Sequence, residues 1–342
     1  MVTRKATGGP ASLEVELTPW RPNAWLLTVA GATLAGIIFG AGFAAVAGGN
    51  AAGGNEYHLW RWQADTLASS VFSLAGIGPD PDESAANQAI EQYFRLTSEL
   101  RAAVEAEGID LALVDALTSE RAIYENDVER TLERRIGDAV ASVGLTRGLP
   151  LFGDATITWP PVNIELTSPP QLLVRSPRDR IERSGDTLLK NDLSLREIER
   201  IEGDAESDDT VSLVVSIGGL AAYPAIVRDD RSYDSLLDTS AHEWVHHYLA
   251  FYPLGETWGD GGDAETLNET TASIAGREIA NLVRAAHPVE LPEGEDGRAP
   301  PAPAPTVDFT RVMRALRLEV DALLAAGDIP GAEARMEEQR LF

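Results

Sequence analysis

The chain has 342 residues, with 28 Lys and Arg against 54 Asp and Glu, a formal net charge of −26, and no cysteine. So large an acidic surplus excludes a protein that grips nucleic acid by its phosphates, which needs a basic footprint. The lack of thiols excludes disulfides, Cys-ligated zinc and thiol nucleophiles, while 44% hydrophobic and 24% charged residues fit a folded chain.

In chain order, residues 1–23 read as a short cytoplasmic tail and 24–48 as a transmembrane helix. No charged residue occurs between Arg21 and Glu56. The uncharged run from Trp25 to Ala47 spans about 35 Å as a helix, enough to cross a bilayer core. Trp20 and Trp25 stand at one edge, and Tyr57, Trp60 and Trp62 follow the other, like an aromatic belt. Ala45-Val46-Ala47 resembles a signal-cleavage site, but the length of the apolar run favours a retained single-pass anchor. Arg4, Lys5 and Arg21 precede the span and only Arg61 follows closely, so the rest of the chain is expected outside the cytoplasm, at the cell membrane. Gly36 and Gly40 form a GxxxG through which two such helices could pair as a homodimer.

Residues 49–147 read as a helical region. Ile90, Phe94, Leu100 and Val104 recur near helical spacing after Asp82, and Leu117, Tyr124, Val128, Leu132, Ile136 and Val140 form a longer stripe closed by Gly144. From Gly148 the pattern changes. Val162–Leu166, Gln171–Arg175, Val211–Ile217 and Ala222–Val227 read as short extended pieces, and Ser194 caps a helix between them. Two strong helices follow, near 235–251 and 264–286. A Pro-rich linker covers 291–306, and helices fill 307–342. The class is α+β, with the chemistry expected in 148–290.

That chemistry centres on Thr239–Tyr248, which contains HExxH as His242, Glu243 and His246. Residues four apart share a helix face, so both imidazoles can bind one zinc ion, while Glu243, about 100° round, can reach a water on the metal's open side. With five His in the chain, chance would produce about 0.01 such matches. His247 points off the ligand face and reads as a supporting group. Two imidazoles need a third protein ligand. Extrapolating the apolar stripe Ala272, Ala275, Ile279 places Glu269 on the buried side of the next helix, where a carboxylate needs a partner. Glu265, Glu278, Asp263 and Asp260 are the other carboxylates in reach, and a salt bridge from Glu269 to Arg277 or Arg284 is the bland alternative. Asp238, Asn268 or a carbonyl could orient the imidazoles.

HExxH on one helix with Leu267-Asn268-Glu269 and Ala272 on the next resembles the gluzincin metallopeptidases. The resemblance covers about 140–290. It implies a zincin-like domain, with a mixed sheet plus active-site helices, whose edge strand aligns the substrate peptide; Gly218–Ala222 stand where that strand would run. It implies Zn2+ on His242, His246 and Glu269, Glu243 as general base, and peptide or protein as substrate. The aminopeptidases of the family carry a Glu near the edge strand, where this chain has Ala221 and Ala222, so internal cleavage is the expectation. The family also uses a Tyr or His as oxyanion donor; the candidates are His287 and Tyr233, with Arg284 and Tyr223 behind them. The expected function is a membrane-anchored zinc peptidase, and the alternative is a catalytically inert zincin-like scaffold at the membrane.

Overall fold

In the computed structural model the described residues are 52–63, 66, 82–148, 156–257, 262–291 and 307–341. The expected anchor 24–48, almost all of the Pro-rich linker and the Trp258–Gly261 turn lie outside them. Among the described residues no helix is long and apolar enough to cross a membrane.

Helices α1 (Glu83–Glu105) and α2 (Leu111–Ser142) form an antiparallel pair. Asp110 opens α2 by accepting from the amides of Ala112 and Leu113, which satisfies N–H groups that lack a partner in the first turn. Their apolar stripes meet: Ile90 and Phe94 pack with Val128, Leu132 and Ile136 in the main core. That core continues into helices α4 and α6 below, so the expected helical region and the histidine-bearing region share one interior.

The strands are short and fall into three small sheets rather than one mixed sheet. Strands β1 (Thr146–Gly148) and β2 (Thr156–Thr158) make an antiparallel hairpin. Strand β3 (Ile164–Leu166) pairs parallel with β8 (Ala225–Val227), and β7 (Gly219–Leu220) pairs antiparallel with β8 at the opposite edge. Strand β4 (Gln171–Pro177) lies between β5 (Gly185–Leu189) and β6 (Thr210–Ser216), all antiparallel. Helix α3 (Leu195–Ala205) connects β5 to β6. Its Ser194–Glu197 capping box is complete, as the sequence pattern predicts.

The segment 52–63 does not join α1 and α2. It lies against β5, where the Tyr57 amide donates to the Leu188 carbonyl and the Lys190 amide to the Asn55 carbonyl, each at 2.9 Å. Helix α4 (Tyr233–Leu249) runs into the short α5 (Pro253–Glu256) and returns as α6 (Gly262–Ala286). Helices α7 (Phe309–Ala325) and α8 (Ile329–Leu341) pack on each other around Leu316, Val320 and Ala332. Arg178 on the β4–β5 hairpin ties α8 to the rest through Glu333 at 2.5 Å.

Candidate metal centre

Helix α4 begins at Ser232, whose hydroxyl accepts from the Ser235 amide. Its apolar face, Leu236, Leu237, Ala241, Trp244 and Val245, is buried in the main core, which fixes the rotation of the helix and turns His242 and His246 out of that core. Helix α6 lies beside it unusually closely at Gly276. A Cβ at that position would stand 2.8 Å from the backbone N and Cα of His242, so only glycine permits the approach.

Three sequence-predicted ligands come together. The Nε2 atoms of His242 and His246 are 2.9 Å apart. Each lies 3.5 Å from a different oxygen of Glu269. One ligand atom from each residue fits within 4.8 Å. The buried position of α6 is not Glu269 but its neighbour Asn268, which is 2% exposed. Glu269 sits at the flank of the helix and faces the cleft, its side chain 45% exposed. Glu265, the nearest rival, is drawn away to Arg183 at 3.0 Å, and Asp263 lies exposed in the first turn of α6.

Asn268 sets the polarity of the cluster. Its Nδ2 donates to the Leu254 carbonyl at 3.0 Å, which leaves Oδ1 to accept from Nδ1–H of His246 at 2.8 Å. That assigns the proton of a neutral His246 to Nδ1 and directs the Nε2 lone pair at His242 and Glu269. Lone pairs and a carboxylate then converge on one point, an arrangement that needs a positive centre, either a proton or a metal ion. Hydrogen bonds from His242 and His246 hold the Glu269 carboxyl well below the usual carboxylate range. The donor set of two imidazoles and a carboxylate fits zinc.

Glu243 lies on the neighbouring face, 6% exposed. Burial pushes its carboxyl up to about 7, the His242 charge opposes that rise and the Glu269 charge adds to it. Edge strand β7 crosses directly over it: a Cβ on Gly219 would approach Glu243 Oε1 to 2.5 Å and Thr239 Cγ2 to 2.9 Å. His247 points the other way and meets the Ala222 carbonyl at 2.6 Å, pinning the turn after β7 to α4. Burial pulls its pKa down to about 4 and keeps it neutral.

These groups line a cleft of about 450 Å³. Leu59, Leu172, Leu188, Ile217 and Leu220 form its apolar side, and Arg183, Thr239, Ser273 and Arg277 are among its polar groups. The expected oxyanion donors are not there. His287 is about 27 Å along α6 from Glu269, at the far end of the helix, where it binds Glu83 at 2.8 Å. Tyr233 opens α4 and is buried edge-on against Phe94 in the main core. Arg284 is held by Asp234 and Asp238, both at 2.6 Å, so Asp238 does not orient an imidazole. Tyr223 donates to the Pro161 carbonyl. The cleft's own cations, Arg183 and Arg277, escaped the sequence reading. Arg183 comes from the β4–β5 hairpin, and Arg277 follows Glu269 by two turns on the same face of α6, a spacing that could have flagged it.

No family model, curated protein or solved structure matches the chain.

Proposed function

We propose that this cleft is the active centre of a zinc-dependent peptidase on a single-pass membrane anchor at 24–48. The observation that carries the reading is the convergence of His242, His246 and Glu269 within 4.8 Å beside a buried Glu243 in one cleft. When bound, zinc supplies a Lewis acid for the scissile carbonyl and lowers the pKa of water toward neutrality.

The chain's own residues supply the rest. Glu243 takes the proton of the attacking water and returns it to the leaving amine. Asn268 holds His246 in the tautomer that presents Nε2 to the cluster. Strand β7 has β8 on one side only, so its outer edge can take a peptide backbone as an added strand. Arg183 and Arg277 are the cations placed to meet negative charge developing on a carbonyl oxygen. Arg183 is engaged by Asp186 and Glu265, whereas Arg277 makes no ion pair among the described residues, which favours Arg277 as the donor. The zincin-like architecture belongs to this proposal and rests on the α4–α6 pair and the overlying edge strand.

The test is metal content followed by a peptide-library digest with and without chelator. About one zinc per chain, with cleavage that the chelator stops and zinc restores, is the expected result. Stoichiometric zinc with no cleavage of any peptide would return the inert scaffold, and no bound metal would remove the reading.

A further inference from the structure

The metal centre occupies one side of the cleft; the other side is apolar and comes from a different part of the chain. Leu172 on β4, Leu188 on β5, and Ile217 and Leu220 at the edge strand face the same cleft as His242 and Glu243. Leu59 completes that side from the N-terminal segment. It is 5% exposed and packed in the same cluster as Leu172 and Leu188. The segment is fastened along β5 by backbone hydrogen bonds on either side of Glu56, so Leu59 is held in place as an added strand would hold it.

Such a surface selects by chemistry. It carries no charged group, so a Lys or Asp side chain entering it would lose its hydration without a partner. A small side chain would leave the leucines unfilled, and each missing methylene in an apolar pocket costs about tenfold in discrimination. A branched aliphatic side chain matches both the polarity and the lining.

We propose that the N-terminal segment around Leu59 is a specificity element, which with Leu172, Leu188 and Leu220 forms a subsite for a bulky aliphatic side chain next to the scissile bond. This rests on the peptidase reading and narrows its substrates to peptides bearing Leu- or Ile-like residues at that position.

The experiment uses the full chain loaded with zinc and carrying Glu243→Gln, titrated with the hydroxamates of acetyl-leucine, acetyl-alanine and acetyl-aspartate. The leucine probe is expected to bind about tenfold or more tighter than alanine, with aspartate weakest. Leu59→Ala should widen the subsite and move the optimum from leucine to phenylalanine, and Leu188→Phe should fill it and move the optimum to alanine. Two variants of opposite sign keep the test standing if one fails to fold, which a thermal melt reports. The same shifts should appear in library digests by the Glu243 protein. A flat hydroxamate series on a zinc-loaded chain, or an optimum that neither variant moves, overturns the subsite and leaves the peptidase reading intact. A chain that takes up no zinc overturns both.

Discussion

Glu129 on α2 and Glu269 on α6 are both carboxylates carried by long helices, yet their surroundings drive them in opposite directions. Glu129 is 9% exposed and accepts from the Leu166 amide at 2.7 Å, while Glu133, one turn on, accepts from the Ile164 amide at 2.9 Å. The two close the edge of β3 that β8 does not cover. No cation offsets this seam at Glu129: burial raises its carboxyl to about 9, and Glu165, Glu125 and Glu133 add to the rise. Glu269 instead meets two imidazoles, and its carboxyl is pulled down. Burying acids is therefore not what marks a site in this molecule. A carboxylate that feeds backbone amides builds the fold, and one that converges with lone-pair donors on an open cleft waits for a cation.

The comparison breaks most visibly at Glu243. Glu243→Gln should leave zinc bound and lower peptide turnover about a thousandfold, because the proton carrier is lost while the ligands stay. Retained turnover would mean that the proton leaves by another route. The seam responds to pH instead. Glu129 has its pKa raised in the fold, so its contribution is full below about 4.5 and is lost as pH rises through about 9. Glu129→Gln keeps an acceptor for Leu166 and cannot ionise. Between pH 6 and 9.5 the wild type should lose about 2 kcal/mol or more relative to this variant, read from urea midpoints. Parallel curves would show that the seam ionises without cost.

A single substitution at two helical glycines sharpens the contrast further. A Cβ on Gly137 of α2 would meet only Thr158 and Val162 side-chain atoms at 4.0 Å, an ordinary contact. Gly137→Ala should therefore stabilise by up to about 1 kcal/mol, the usual helix-propensity gain. Gly276→Ala brings the same gain but drives a methyl into the His242 backbone. Its net effect should be a loss of about 1–2 kcal/mol, with weaker zinc binding as His242 is displaced. Thermal melts of both variants with and without zinc decide it, and a stabilised Gly276→Ala would show that α4 and α6 can separate freely.

How much of this was legible in the sequence follows from what spacing can and cannot report. Four-residue spacing put His242 and His246 on one face, and Asn268-Glu269 lay on the next helix, so both ends of the cluster could be named. The extrapolated stripe erred by one position: Asn268 fills the buried slot and Glu269 flanks it. Spacing along a helix does not say what its far end packs against, so His287 looked available until Glu83 was seen to hold it. Strand β5 was missed because Gly185–Leu189 is short and bounded by no alternation, and with it went the partner of the 52–63 segment. One mixed sheet was expected where three small ones form, since strands of two to seven residues carry little register information.

The smallest effect should come from the residue that works only through another. Asn268 touches no substrate position; it fixes the His246 tautomer from below and ties the turn after α4 through the Leu254 carbonyl. Asn268→Ala removes both bonds, so neutral His246 can shift its proton to Nε2 and lose the free lone pair there. Zinc affinity should fall about 10- to 100-fold, measured by competition with a chelator. Asn268→Asp separates the two roles: its carboxylate still accepts from Nδ1–H but cannot donate to Leu254, so affinity should hold while the melting temperature drops. If both variants bind zinc as tightly as the parent, the orientation of His246 is set by the packing of α4 alone, and the polarity assigned to the cluster would have to come from the metal rather than from the amide beneath it.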